Sequence, residues 1–254
     1  MTTLTIPELL ERIEYPESDG LPMSDNTKQW NWMVLIKEGL EVLFQDRPDV
    51  FVAGNLLWYP HEGDNRFRVA PDVFVAFGRP KGDRGSYLQW KEGDLPPHVV
   101  FEVLSPGNTH AEILEKIDLY DELGVEEFYI YDPDRETLRG FHRRDNEWTP
   151  IAQMQGWVSP RLAIRFGLEA GQLVLEDPAG NRFVSTVERA RRQRQAEAHA
   201  NQAEARADQA VARADQEDAR ADQEEARADQ ADARAQQLAA RLRALGIDPD
   251  AISP

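Results

Sequence analysis

Between Thr186 and Leu245 the chain contains no proline, no glycine and no aromatic residue. A seven-residue pattern runs through this stretch: AEARADQ from Ala203, then AVARADQ, EDARADQ, EEARADQ and ADARAQQ, passing into LAARLRALG. Alanine is the strongest helix former and nothing breaks the run, so one helix is expected from Thr186 to Leu245. At about 1.5 Å per residue such a helix is ~90 Å long, far more than a compact domain can wrap. Spacings of four and three mark a seam from Ala203 through Glu217 and Glu224 to Leu238, Leu242 and Leu245. Alanine buries little area, so the seam is weak until its leucine end. Two readings stay open: a homotypic coiled coil making the chain a dimer or higher oligomer, or a solitary helix used as a spacer. Neither carries catalytic chemistry.

The organisation follows from that rod: a lead segment at 1–23, a globular domain at 24–178, the heptad helix at 186–246 and a tail at 247–254. The whole chain carries 29 basic and 46 acidic residues, a formal net charge of -17. Residues 186–254 hold 11 basic and 14 acidic residues. Subtraction leaves 18 against 32, or -14, for residues 1–185. That excludes a nucleic-acid coat protein held by bulk charge. One window differs. From Asn65 to Lys91, Arg66, Arg68, Arg79, Lys81, Arg84 and Lys91 face only Asp72 and Asp83. The five from Arg66 to Arg84 are candidate DNA contacts, with a plain solvated loop as the alternative. The chain has no cysteine, which removes disulfides, thiolate metal sites and a cysteine nucleophile. No basic-then-apolar leader or membrane-length apolar run is visible, so a cytoplasmic protein without membrane contact is expected.

In the globular part, Pro7–Glu14 suggests a short helix. Asp25, Asn26 or Thr27 can cap a longer one running to Phe44. Strand-like runs follow at 50–59, 72–78, 98–104, 126–132 and 137–143, with weaker ones near 148–153, 162–166 and 173–176. Between the third and fourth, Thr109 can cap a helix with Ile113, Ile117 and Tyr120 on one stripe and Gly124 as its stop. This order predicts an α/β or α+β fold: a mixed sheet flanked by helices.

Chemistry concentrates in the middle. Asp72 heads the strand DVFVAF, and Glu102 interrupts the apolar run VVFEVL, where an unpaired buried charge is expensive. A divalent cation shared with a second carboxylate satisfies such a residue. Mg²⁺ takes oxygen donors, and Asp72, Glu102 and the carbonyl of Val103 form such a set. A cation-bound water is then the nucleophile, with an ammonium nearby to steady a phosphate.

The strings VAPDVFVAFG, PPHVVFEVLSPGNT and EKIDLYDELGVEEFYIYDPD, in this order, resemble the Uma-type restriction endonucleases of the PD-(D/E)XK nuclease superfamily. The resemblance spans roughly Lys28 to Glu176 and leaves the tail outside. It implies a restriction-endonuclease-like core, Mg²⁺ or Mn²⁺ as cofactor, and hydrolysis of DNA phosphodiesters by Asp72, Glu102 and a lysine. The superfamily's lysine two positions after the second acid is absent, because Leu104 stands there. Lys116 on the next helix matches its replacement in Uma-type members, while an ordinary surface lysine paired with Glu112 or Glu115 is the alternative. Many members carry a histidine early in the first helix. Gln29 and Asn31 stand here instead, so that role is lost or reassigned. Glu38 or Glu41 is a candidate additional metal-side carboxylate.

Other features have plain readings. SPGNT is a phosphate cradle or an ordinary turn and cap. Trp30 and Trp32 read as core or interface residues, and His61, His98, His110 and His142 share no ligand spacing. The expected function is a divalent-metal-dependent DNA endonuclease. The alternative is a catalytically silent module of the same fold, acting in binding or assembly through its coiled coil.

Overall fold

A computed structural model of the protein describes residues 13–18, 20 and 24–246. The elements are α1 (Thr27–Leu43), β1 (Val50–Gly54), β2 (Trp58–Tyr59), β3 (Val73–Phe77), β4 (Tyr87–Leu88), β5 (Val99–Val103), α2 (His110–Glu122), β6 (Glu127–Asp132), β7 (Thr137–Arg144), β8 (Glu147–Pro150), β9 (Arg165–Glu169), β10 (Gln172–Glu176) and α3 (Thr186–Ala244). The expected helix at Pro7–Glu14 and the tail at 247–254 lie outside the described residues, apart from Ile13 and Glu14.

Six strands form the central sheet in the order β1-β3-β5-β6-β7-β8. Within this sheet only β5 and β6 pair in parallel, with α2 as their crossover, and its other pairs are antiparallel; β2 and β4 form a separate parallel pair. This is the mixed α/β sheet that the order of elements predicts. Because side chains alternate along a strand, the two faces build two cores. Val73, Val75, Val99 and Phe101 pack under α1 with Met33, Ile36 and Leu40. Phe74, Ala76, Val100 and Phe128 pack on the other side with Ile113 and Tyr120 of α2. The β9–β10 hairpin adds Phe166, Leu173 and Leu175 to the α1 side.

Local chemistry explains the element ends. Asn26 caps α1, its side chain accepting the N–H of Gln29 at 2.9 Å. Thr109 and Glu112 form a reciprocal capping box at the start of α2. The run at 50–59 is not one strand, as its composition suggests, but two short ones. Asn55 takes a left-handed conformation (φ 49) that Asn tolerates better than most residues, and its N–H donates to the carbonyl of Asp72 at 3.1 Å. The break therefore ties the end of β1 to the start of β3.

Two compact units divide the chain, residues 1–189 and 190–254. In the second, α3 continues as one uninterrupted helix with no buried residue. Among the described residues no helix is long and apolar enough to cross a membrane.

Candidate active site

β3 and β5 pair antiparallel with Val73 opposite Phe101. One further step of that register sets Asp72 opposite Glu102, on the sheet face that α2 covers. Both acids are buried, Asp72 at 8% and Glu102 at 3% exposure. Asp72 Oδ2 accepts the N–H of Val103 at 2.6 Å, and the Gln29 side chain beside this carboxyl favours its ionised form. Burial first, and the charge of Glu102 second, push the Asp72 carboxyl up to about 8, against the pull of Lys116.

Glu102 is held from α2. Lys116 Nζ donates to its Oε2 at 2.6 Å, and the Tyr120 hydroxyl donates to its Oε1 at 2.7 Å. The turn at Ser105–Asn108 folds α2 back over β5, and residues four apart on a helix share a face. One helix therefore delivers both donors. Burial works against the charge on Lys116, but the adjacent Glu102 outweighs it and holds the ammonium above the ordinary lysine value. Burial, again with Glu102 beside it, keeps the Tyr120 phenol protonated well beyond its usual range. Tyr120 also stacks parallel to Trp58, at 6.4 Å between ring centroids.

With both acids ionised, two carboxylates and one ammonium would leave one excess negative charge in a poorly hydrated site, which is part of what holds Asp72 protonated and what a hard divalent cation would offset. Among the described residues no group of three or more His, Cys, Asp or Glu side chains gathers to hold a metal. The available donors are thus the two acids and the Val103 carbonyl. That carbonyl accepts Gln29 Nε2 at 2.9 Å, which leaves its second lone pair.

Other candidates are not brought to this cluster. Glu38 accepts the hydroxyl of Thr186, and Glu41 pairs with Lys37 at 2.7 Å. Neither bonds the two acids: Glu41 turns to Lys37 on α1, and Glu38 to Thr186 at the start of α3. Of the basic residues, Lys81 caps the end of α1, donating to the carbonyls of Phe44 (2.6 Å) and Gln45 (2.9 Å). Arg84 is sequestered in an ion pair with Glu92 (2.6 Å) and lies 3.8 Å over the Phe51 ring. Both make local contacts that hold the fold, while also lining a hollow of about 430 Å³ with Lys37 and Glu41. Arg79 donates to its neighbour's carbonyl at Gly78. Arg66 and Arg68 stay exposed, on the loop that leads into Asp72. SPGNT proves to be a turn and cap: Asn108 Oδ1 accepts the Ser105 N–H at 2.8 Å, and Glu112 accepts that of Thr109 at 2.8 Å. Gln29 and Tyr120 were not expected as site residues. The spacing of Tyr120, four after Lys116, was the available signal.

The family model described as "Uma2: Putative restriction endonuclease" matches residues 8–176, more than half of the chain. Among solved structures, the chain is similar to one described as "a putative nuclease belonging to DUF820 from Anabaena variabilis ATCC 29413", with 16% identity and a TM-score of 0.41. That match covers 62% of this chain and 89% of the other. No curated protein matches.

Proposed function

The chain belongs to the Uma2 family, and from that membership and the site geometry we propose that it is a divalent-metal-dependent endonuclease hydrolysing DNA phosphodiester bonds. The observation that carries the reading is the Asp72–Glu102 pair, two buried acids from different strands with Lys116 Nζ 2.6 Å from one of them. Asp72, Glu102 and the Val103 carbonyl would hold Mg²⁺ or Mn²⁺. When bound, the ion supplies Lewis acidity toward a phosphoryl oxygen and a water of lowered pKa. Tyr120 and Lys116 hold Glu102 in one orientation, and the Val103 N–H does the same for Asp72. The Lys116 side chain, 37% exposed, reaches the surface and carries a permanent positive charge to the entering phosphate. Arg66 and Arg68 contribute charge for the DNA backbone.

A second reading, a catalytically silent module, is favoured by one observation. Both oxygens of Glu102 already have partners, and no buried side-chain nitrogen or oxygen among the described residues lacks one. Under either reading the heptads of α3 act as a homotypic coiled coil, in a cytoplasmic protein. Incubation of supercoiled plasmid with Mg²⁺ or Mn²⁺ separates the two. The nuclease reading expects nicking or linearisation that Asp72→Ala and Glu102→Ala each reduce at least a hundredfold; equal cutting by both variants overturns the site.

A further inference from the structure

Beside Asp72 a cavity of about 230 Å³ opens between α1 and the end of β1. Trp30, Met33, Val34, Lys37 and Glu38 of α1 line one side, and Gly54, Asn55 and Asp72 close the other. If round, it is roughly 8 Å across, room for a single extruded base and not for a stacked base pair. Lys37 is paired with Glu41, while the Glu38 carboxylate receives the Thr186 hydroxyl, which brings no counter-charge. A hollow that is apolar along Trp30, Met33 and Val34 and edged by the Glu38 carboxylate suits a nucleobase better than a phosphate.

Trp30 stands at its mouth, 39% exposed. Trp32, two residues on, packs edge-on against Tyr131 at 4.9 Å, whereas among the described residues no other ring contacts Trp30. Its indole also borders a second hollow of about 610 Å³ with Lys28, Asn31 and Gln172. A bare aromatic ring between two hollows, one of them bordered by Asp72, resembles the arrangement that proteins use to carry successive unpaired bases.

We propose that Trp30 is a stacking platform for an unpaired nucleobase and that the substrate is single-stranded or locally unpaired DNA, the base next to the reacting phosphate entering the cavity beside Asp72. This rests on the nuclease reading of the same site. The expectation that Trp30 belongs to a core or an interface is thereby replaced.

The full-length protein is titrated, without added metal so that nothing is cut, into a single-stranded oligonucleotide carrying one 2-aminopurine. A hairpin duplex carrying the same probe is titrated in parallel. Stacking on an indole quenches the probe. The expected result is saturable quenching of the single strand, weakened roughly five- to a hundredfold by Trp30→Ala, the range that loss of one stacked base implies. Trp30→Phe restores most of it, and duplex binding changes little in either variant. Equal quenching by parent and Trp30→Ala overturns the platform, as does a duplex preference insensitive to Trp30. Cleavage with Mn²⁺ keeps the two claims separate. If Asp72→Ala abolishes cutting while Trp30→Ala cuts single strands like the parent, the nuclease stands and the platform falls. If no cutting depends on Asp72, the nuclease reading falls and the quenching still decides the platform.

Discussion

Tyr120 donates its hydroxyl to Glu102 at 2.7 Å, while Lys116, one turn earlier on the same helix, takes the other oxygen at 2.6 Å. The buried acid of β5 is thus gripped at both oxygens from a single element. Its rotamer is set by the docking of α2 rather than by solvent. Asp72, opposite, is held by the backbone of β5, with a side chain of α1 beside it. Two carboxylates that repel one another are thereby fixed in place by separate elements.

Removing either grip tests its contribution. Tyr120→Phe should destabilise the fold by about 1–3 kcal/mol, since it leaves a buried charged acceptor short of a partner. Lys116→Met removes the counter-charge, and because its side chain is 37% exposed water compensates in part, so about 1–3 kcal/mol is expected, below the cost of breaking a fully buried pair. Urea unfolding measures both, and the double variant should be non-additive, because the two donors share one carboxylate. Cleavage by Lys116→Met should fall at least tenfold with the fold retained; a variant as stable and as active as the parent removes Lys116 from the site.

Gly39 lies where α1 crosses the ring of Phe183, and an added Cβ would overlap that ring. Gly39→Ala should therefore cost about 1–3 kcal/mol by overpacking, despite alanine's better helix propensity. Phe183→Leu in the same chain should recover part of the loss. Thermal unfolding reads the effect, and a Gly39→Ala protein that melts above the parent rules out the clash.

Asp132 at the end of β6 accepts the N–H groups of Asp134 (3.0 Å) and Arg135 (2.9 Å) and the Arg135 guanidinium (3.1 Å). Burial alone would raise its pKa, but these donors outweigh it and hold the carboxyl below the ordinary 3.8. A depressed folded-state pKa contributes stability above the unfolded value and loses it as the pH falls through the folded one. Asp132→Ala should cost about 1–3 kcal/mol at pH 7. Its deficit against the parent should begin to close near pH 3.8 and shrink further below it. Denaturant titrations from pH 7 to pH 3 follow the gap, and a constant deficit contradicts the assignment.

The heptad seam of α3 predicts association. Leu238→Ser, Leu242→Ser and Leu245→Ser combined remove its most apolar portion. Sedimentation should find the parent dimeric or larger and this variant shifted toward monomer, with less helical signal by circular dichroism. A parent that is monomeric at every concentration favours the spacer reading of the helix.

Some of this was legible from neighbouring residues alone. The breaker-free alanine run foretold a helix at Thr186–Leu245, and α3 occupies Thr186–Ala244. Asp25, Asn26 or Thr27 ahead of an apolar stripe foretold a cap, which Asn26 supplies, and Thr109 foretold the cap of α2. These are short-range effects, decided by backbone conformation and hydrogen bonds within a few positions. Glu102 was conspicuous for a similar reason, as a charge within an apolar strand. Other features depend on which strand lies beside which and where each long side chain ends. Nothing in the string of letters states that Asp72 and Glu102 stand in register across β3 and β5, or that Lys116 reaches Glu102 instead of Glu112 or Glu115. Gln29 read as the loss of a histidine and Tyr120 as one apolar position in a stripe, yet Gln29 stands beside one carboxylate and Tyr120 bonds the other. Glu38, Glu41, Lys81 and Arg84 looked like chemistry, and each is engaged by a neighbour away from the two acids. Charge and residue type are written in the chain, but partnership is a matter of distance, and only folding sets distances between residues far apart along it.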